Sequence, residues 1–352
     1  MDEQMMLIKK LSDAFGPSGC EDAVADAVYN EISPYCAEIK RDRIGNLTAF
    51  VPGKSHEKKL LISAHTDEAG FMITGITEQG FLKFDAVAID ARTLCGKKVV
   101  IGDGTHAVNG VVHSKAIHLM KGSERDNATP IEKMLIDIGA KDKADALRLC
   151  QEGDYGTFCP GFELFGSGKF CGKALDDRAG CAVMCRMIEH FGKTGTQPAF
   201  DTYFAFTVRY EIWKSGARAA AYSVKPDYAL VIDAAGAGDI PGIAGAKRAV
   251  SLGGGPAIPF MDRGTVYSEE LISFAGRLAD ENNIKRQNCQ CILGGNDAGD
   301  IHKVGEGVRT ISLCLPCRYP YTPSCVMDIS DYNETYRLAL AFAERTEEIE
   351  NA

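Results

Sequence analysis

Leu60-Leu61-Ile62-Ser63-Ala64-His65-Thr66-Asp67-Glu68-Ala69-Gly70 reads as an apolar strand that runs directly into an imidazole and two carboxylates. Leu60, Ile62 and Ala64 predict the strand, and α/β sheets present ligands at the carboxyl ends of their strands, so His65 is expected to emerge at such an end. Asp67, two residues on, is placed to hold the other ring nitrogen and fix the tautomer. A His-x-Asp pair alone is more often a surface turn. Its surroundings decide the fold.

Upstream, Met6, Leu7, Leu11 and Phe15 recur at helical spacing in residues 2 to 15, Gly16-Pro17-Ser18-Gly19 stops that helix, and Glu21 opens another. Downstream the order alternates: a strand through Thr202, Phe204, Phe206 and Val208, a helix from Gly216 to Val224, a strand over Ala229 to Ile232, and a strand over Thr310 to Leu313. Such alternation predicts an α/β fold with a mixed central sheet flanked by helices on both faces. Between about Gly70 and Gly166 the texture changes to short β-like runs broken by glycine, as in Gly96 to Gly104 and Gly110-Val111-Val112. That segment reads as a small β-rich insertion, with a short helical pattern at Ile131 to Ile136.

A chain of 352 residues more naturally forms two domains than one. Its formal net charge of -9 argues against nucleic acid or an anionic membrane as partner, since both need basic patches. The start, Met1-Asp2-Glu3-Gln4, is not that of a signal peptide, and no run of eighteen apolar residues follows, so a cytoplasmic protein is expected. Thirteen cysteines, spread through predicted strands and helices as in Cys181-x-x-x-Cys185 and Cys289-x-Cys291, suit reduced core thiols. Cys314-Leu315-Pro316-Cys317 has redox spacing but ends an apolar run instead of opening a helix, which argues against a redox role.

Four further acids stand at element boundaries. Asp176 and Asp177, followed by Arg178, stand before a helix carrying Val183, Met184, Met187, Ile188 and Phe191. One aspartate suits a helix cap, and the other suits a bridging metal ligand whose neighbour is locked by a salt bridge to the arginine. Asp233 and Glu211 are each read as ending a strand. Each acid alone is a plausible solvated terminus; together with His65 they predict a site for zinc, cobalt or manganese.

Six stretches carry a wider likeness: Phe15-Gly16-Pro17-Ser18-Gly19, the segment Ala64 to Gly70, Lys173 to Cys181, Asp233 with Ala237 to Gly242, Gly253 to Ile258, and Gly294 to Gly299. In order and spacing the chain resembles the tetrahedral, self-compartmentalising aminopeptidases, the glutamyl or deblocking type sometimes labelled endoglucanases. The resemblance implies a zinc-exopeptidase-like α/β domain from 1–70 and 165–352, interrupted by a β-rich dimerisation domain at 71–164. It implies one or two divalent metals per subunit, with His65, Asp176 and Asp233 holding the first, Asp176 bridging, and Glu211 on the second. Asp67 would orient His65, the substrate would be a peptide, and homodimers would assemble into a homododecamer.

Two segments depart from the family pattern. The family's Val-Gln-Glu-Glu-Val-Gly is replaced by Val208-Arg209-Tyr210-Glu211-Ile212-Trp213, which puts Tyr210 in the general-base position and Trp213 where a glycine is usual. Arg318-Tyr319-Pro320-Tyr321-Thr322-Pro323 resembles a segment that supplies the second metal's histidine, with Tyr321 in its place as a weak or lost ligand. A phenol of reference pKa about 10 is only about one part in a thousand ionised at pH 7. Three readings stay open: a divergent metallo-aminopeptidase of reduced activity, an inactive member serving as an assembly or binding protein, and an aromatic pocket for another ligand.

Overall fold

In a computed structural model that describes residues 1–103, 106–113, 115–122, 126–212, 215–289 and 294–351, the chain is built on an eight-stranded mixed sheet. Its strands lie in the order Glu38–Arg41, Leu47–Val51, Phe200–Thr207, Ser55–His65, Tyr228–Gly236, Arg309–Cys317, Ala257–Ile258 and Gln287–Asn288. The four central strands run parallel to one another. Parallel strands are covered on both faces, and these read accordingly as nearly continuous buried apolar runs.

Helix Leu175–Thr194 crosses one face and buries Val183, Met184, Met187, Ile188 and Phe191, the stripe expected from its spacing. Helix Glu3–Asp13 packs against it through Met5, Leu7, Ile8 and Leu11, whereas Met6 is 51% exposed. The predicted stripe is therefore rotated: Met5 and Ile8 complete it and Met6 faces out. The hairpin of Glu38–Arg41 and Leu47–Val51 at the sheet edge escaped the sequence reading, because its first strand is mostly charged and exposed.

The insertion is a closed six-stranded barrel: Gly70–Ile76, Leu82–Val87, Ile136–Asp137, Ala107–Val112, Lys98–Gly102 and Tyr155–Phe158. It has its own core, centred on Phe71, Ile73, Leu82, Phe84, Val99, Ile101, Val112 and Ile136. The helical pattern expected at Ile131 to Ile136 shrinks to one 3-10 turn, Ile131–Lys133, because Ile136 is taken into the barrel opposite Leu82 and Val112. Pairing with distant strands overrides the local period. Gly104 and Cys291 lie outside the described residues.

The twelve described cysteines are free thiols. Cys314 and Cys317 share the Arg309–Cys317 strand three residues apart, so their side chains leave on opposite faces, and they join different apolar clusters. No helix among the described residues is long and apolar enough to cross a membrane.

Candidate metal centre

Sheet register brings the predicted ligands together. Thr207 lies beside His65, and Val231 lies beside Ser63, so Asp233, two residues further along, comes level with the histidine. Asp233 does not end its strand, which runs on to Gly236, and Glu211 sits in a turn four residues beyond the last strand residue, Thr207. Both acids nonetheless reach the carboxyl edge of the sheet, because strand 228–236 outruns its neighbour and the turn folds back.

Ligand atoms of His65, Asp176 and Asp233 lie within 4.8 Å of one another. His65 and Asp233 are almost fully buried. His65 Nε2 and Asp176 Oδ1 face each other at 3.4 Å, yet both are buried without a hydrogen-bond partner. Orphaned polar atoms of this kind are costly unless something completes them. An imidazole nitrogen and two carboxylates converging on one point are a donor set that fits a divalent ion such as zinc, cobalt or manganese. Glu211 lies outside this group of three and lines a small recess with Asp176, Tyr321 and Cys325.

The support around these atoms was only partly legible. His65 Nδ1 lies 3.1 Å from the Asp67 carbonyl oxygen and 3.5 Å from its Oδ1. The Asp67 carboxylate also accepts from the backbone N–H groups of Tyr210 and Glu211, both at 2.9 Å, and from the Ser18 hydroxyl. Asp67 thus steers both the ring and the turn that presents Glu211. Ser18 was visible only as part of a loop motif.

Asp177 takes the capping role: it accepts from Gly180 N at 3.1 Å and from His65 N at 3.3 Å, and regular helix begins after it. Its peptide bond from Asp176 is cis. The expected salt bridge to Arg178 is absent. Arg178, fully buried, donates instead to the carbonyls of Thr66, Leu11, Ala14 and Gly16 and approaches Glu68 Oε1 at 3.4 Å. A Cβ at Gly16 would stand 2.6 Å from the guanidinium, so the bare glycine makes room for it. Glu68 is paired with buried Lys173 at 2.6 and 2.8 Å, a second charge pair beneath the site.

Beside the three ligands opens a cleft of about 300 Å³ lined by Tyr210, Met261, Asp262, Tyr267, Asn296 and Tyr321 among others. The sequence profile of the M42 glutamyl aminopeptidases matches residues 45–338. The chain belongs to that family. A protein of Acetivibrio thermocellus, provisionally described as an aminopeptidase, is 36% identical over 341 residues, 96% of this chain and 98% of its own. The TET aminopeptidase of the marine sediment archaeon Thaumarchaeota archaeon SCGC AB-539-E09 superposes with a TM-score of 0.95 at 31% identity, covering 99% of both chains. The Pyrococcus horikoshii TET1 peptidase, which can assemble into a tetrahedron or a large octahedral shell, gives 0.87 at 29% identity over 97% of this chain and 100% of that one.

M42 peptidases are metal-dependent, and the three converging ligands are the candidate site in this member. Its two tyrosines sit differently. The Tyr210 ring stacks on the His65 imidazole, centroids 3.9 Å apart and planes at 5°, and its hydroxyl donates to the Gly295 carbonyl at 2.7 Å. Tyr321 is 43% exposed at the cleft mouth. Trp213 lies outside the described residues. Ala174, Arg209, Tyr319 and Tyr321 all adopt positive φ, between 54° and 62°, so the loops delivering site residues hold conformations that non-glycine residues rarely take.

Charge at the site follows from burial. Desolvation lifts the carboxyls of Asp233 and Glu211 well above the ordinary carboxylate range, and Asp176 adds to the rise in both. Burial pushes the His65 imidazole down, but Asp176 and Asp67 outweigh it and hold its pKa well above the usual value. Burial, then Asp233 and Asp176, push the Tyr210 phenol well above 10. Asp176 and burial raise Tyr321 likewise. A cluster that holds protons this tightly is one that a cation would relieve of them.

Proposed function

We propose that this chain is a metal-dependent aminopeptidase that removes N-terminal residues from short peptides, more slowly than a centre with a carboxylate at position 210. The observation carrying this reading is the pair of buried, unpartnered atoms His65 Nε2 and Asp176 Oδ1 converging with Asp233. His65, Asp176 and Asp233 would hold the ion, which when bound supplies Lewis-acid polarisation of the scissile carbonyl and lowers the pKa of water. Glu211 and Tyr321 would support a second ion weakly, since a phenol must lose its proton before it can ligate and this one is held protonated. Asp67 keeps the imidazole and the Tyr210–Glu211 turn in place. Tyr210, neutral and donating its proton to Gly295, positions the His65 ring instead of accepting a proton. Loss of a general base typically costs about 10²- to 10⁴-fold in rate.

The test is hydrolysis of a panel of aminoacyl anilides and short peptides by purified protein with zinc, cobalt or manganese, alongside metal analysis. Turnover that needs metal is expected. Absence of turnover under every metal would refute the reading.

A second reading, a non-catalytic assembly or binding protein, is favoured by the way Tyr210 covers one face of the histidine. Under it, the Tyr210→Glu, Tyr321→His double variant creates activity from none. Matching rates in the variant and the parent would exclude it.

Residues 71–164 are assigned to dimer formation, on the support of their separate apolar core, and 1–70 with 165–352 to hydrolysis. The tetrahedral assembly of the Pyrococcus horikoshii relative supports a homododecamer built from dimers. Reduced thiols support a cytoplasmic setting.

A further inference from the structure

The titratable side chains that line the cleft beside the three ligands include acids but no bases. Asp176, Asp233 and Asp262 line it, with no lysine or arginine among the described lining residues. Asp176 and Asp233 are committed to the ion, and Asp262 is not. It belongs to a tight turn closed by the Met261–Val266 bridge. Its Oδ1 accepts from Gly264 N at 2.6 Å and Thr265 N at 2.7 Å, and its Oδ2 from the Tyr267 hydroxyl at 2.5 Å. All three donors are neutral groups, and Oδ2 has one acceptor site to spare. Pro259, Met261 and Cys314 supply apolar wall in the same cleft.

We propose that this cleft selects peptides whose first residue carries a long cationic side chain, lysine or arginine, with Asp262 as the specificity-determining residue. The inference rests on the peptidase reading above. A lysine or arginine side chain is an apolar stem with a charged tip, the combination these walls and this carboxylate match. An acidic side chain set against Asp262 meets like charge. A leucine fits the apolar wall but offers no donor to the spare acceptor site of Asp262.

The test uses the zinc-loaded protein and calorimetric binding of L-lysinamide, L-leucinamide and L-glutamic acid 1-amide, beside turnover of the matching anilides. A charge-assisted hydrogen bond predicts lysinamide binding about 10- to 100-fold more tightly than leucinamide, with the glutamic amide weakest. Asp262→Asn keeps an acceptor for the Gly264 and Thr265 amides, so the turn is retained, as thermal melting would verify, and the lysine-to-leucine ratio falls about 10-fold. Equal or tighter binding of the glutamic amide, an unchanged ratio in Asp262→Asn, or no binding of any amide overturns the inference. The expected binding order without turnover of any anilide overturns the peptidase reading and leaves this one standing.

Discussion

Replacing Tyr210 by phenylalanine separates two roles that its position allows. Were the phenol a general base, Tyr210→Phe would cost about 10²- to 10⁴-fold in kcat. The structure argues otherwise. The hydroxyl is spent on the Gly295 carbonyl at 2.7 Å, and burial with Asp233 and Asp176 nearby drives its pKa above the ordinary 10, so less than about one part in a thousand is ionised at pH 7. The ring, stacked on His65 at 3.9 Å, survives the substitution. The expected cost is one neutral hydrogen bond, about 1 kcal/mol, or a fall in melting temperature of about 1 to 2 °C for a chain of this length. Leucyl-anilide turnover with saturating cobalt should change by less than about 3-fold, because a proton that never leaves contributes nothing to transfer. Tyr210→Glu should raise the same rate about 10²-fold. A loss of two orders of magnitude in Tyr210→Phe, with metal content and melting unchanged, would show that the phenol takes the proton and that its environment has been misread.

Three other outcomes follow from the same geometry. His65→Ala should abolish tight metal binding by elemental analysis after dialysis, where the parent retains roughly one equivalent, while circular dichroism stays unchanged. Lys173→Met leaves the buried Glu68 carboxylate with Arg178 at 3.4 Å as its cationic partner, beside the neutral donors Gly16 N and Thr157 Oγ1, and should destabilise the fold by roughly 3 kcal/mol in urea titration. Burial raises the Asp297 carboxyl from 3.8 to about 6, so the folded chain holds this proton more tightly than the unfolded chain; the stability that this group contributes is fully present below pH 4 and is lost as the pH climbs through 6. Asp297→Asn, neutral throughout, should therefore gain on the order of 2 kcal/mol over the parent at pH 8 and nothing near pH 4, measured on metal-free protein.

Much of the site was visible in the linear chain because its residues occupy recurring places: a strand end for His65, a helix entry for Asp176 and Asp177, and strand 228–236 for Asp233. Glu211, read as ending a strand in the same way as Asp233, lies outside the converging group, in a turn that Asp67 holds from another strand. Arg178 was paired with its neighbours on the assumption that adjacent opposite charges meet. Its guanidinium instead runs under the loop of Leu11 to Gly16, through space that a missing side chain leaves open.

Residue chemistry and local period are properties of the chain alone, and they determined the alternating α/β order, the β-rich insertion, the family and the identity of the candidate ligands. Whether Met6 or Met5 faces the core, whether Ile136 extends a helix or joins a barrel, and which atoms are left without partners were settled only in three dimensions. Those outcomes depend on neighbours dozens to hundreds of residues away, which decide what is shielded from water and what each polar atom can reach.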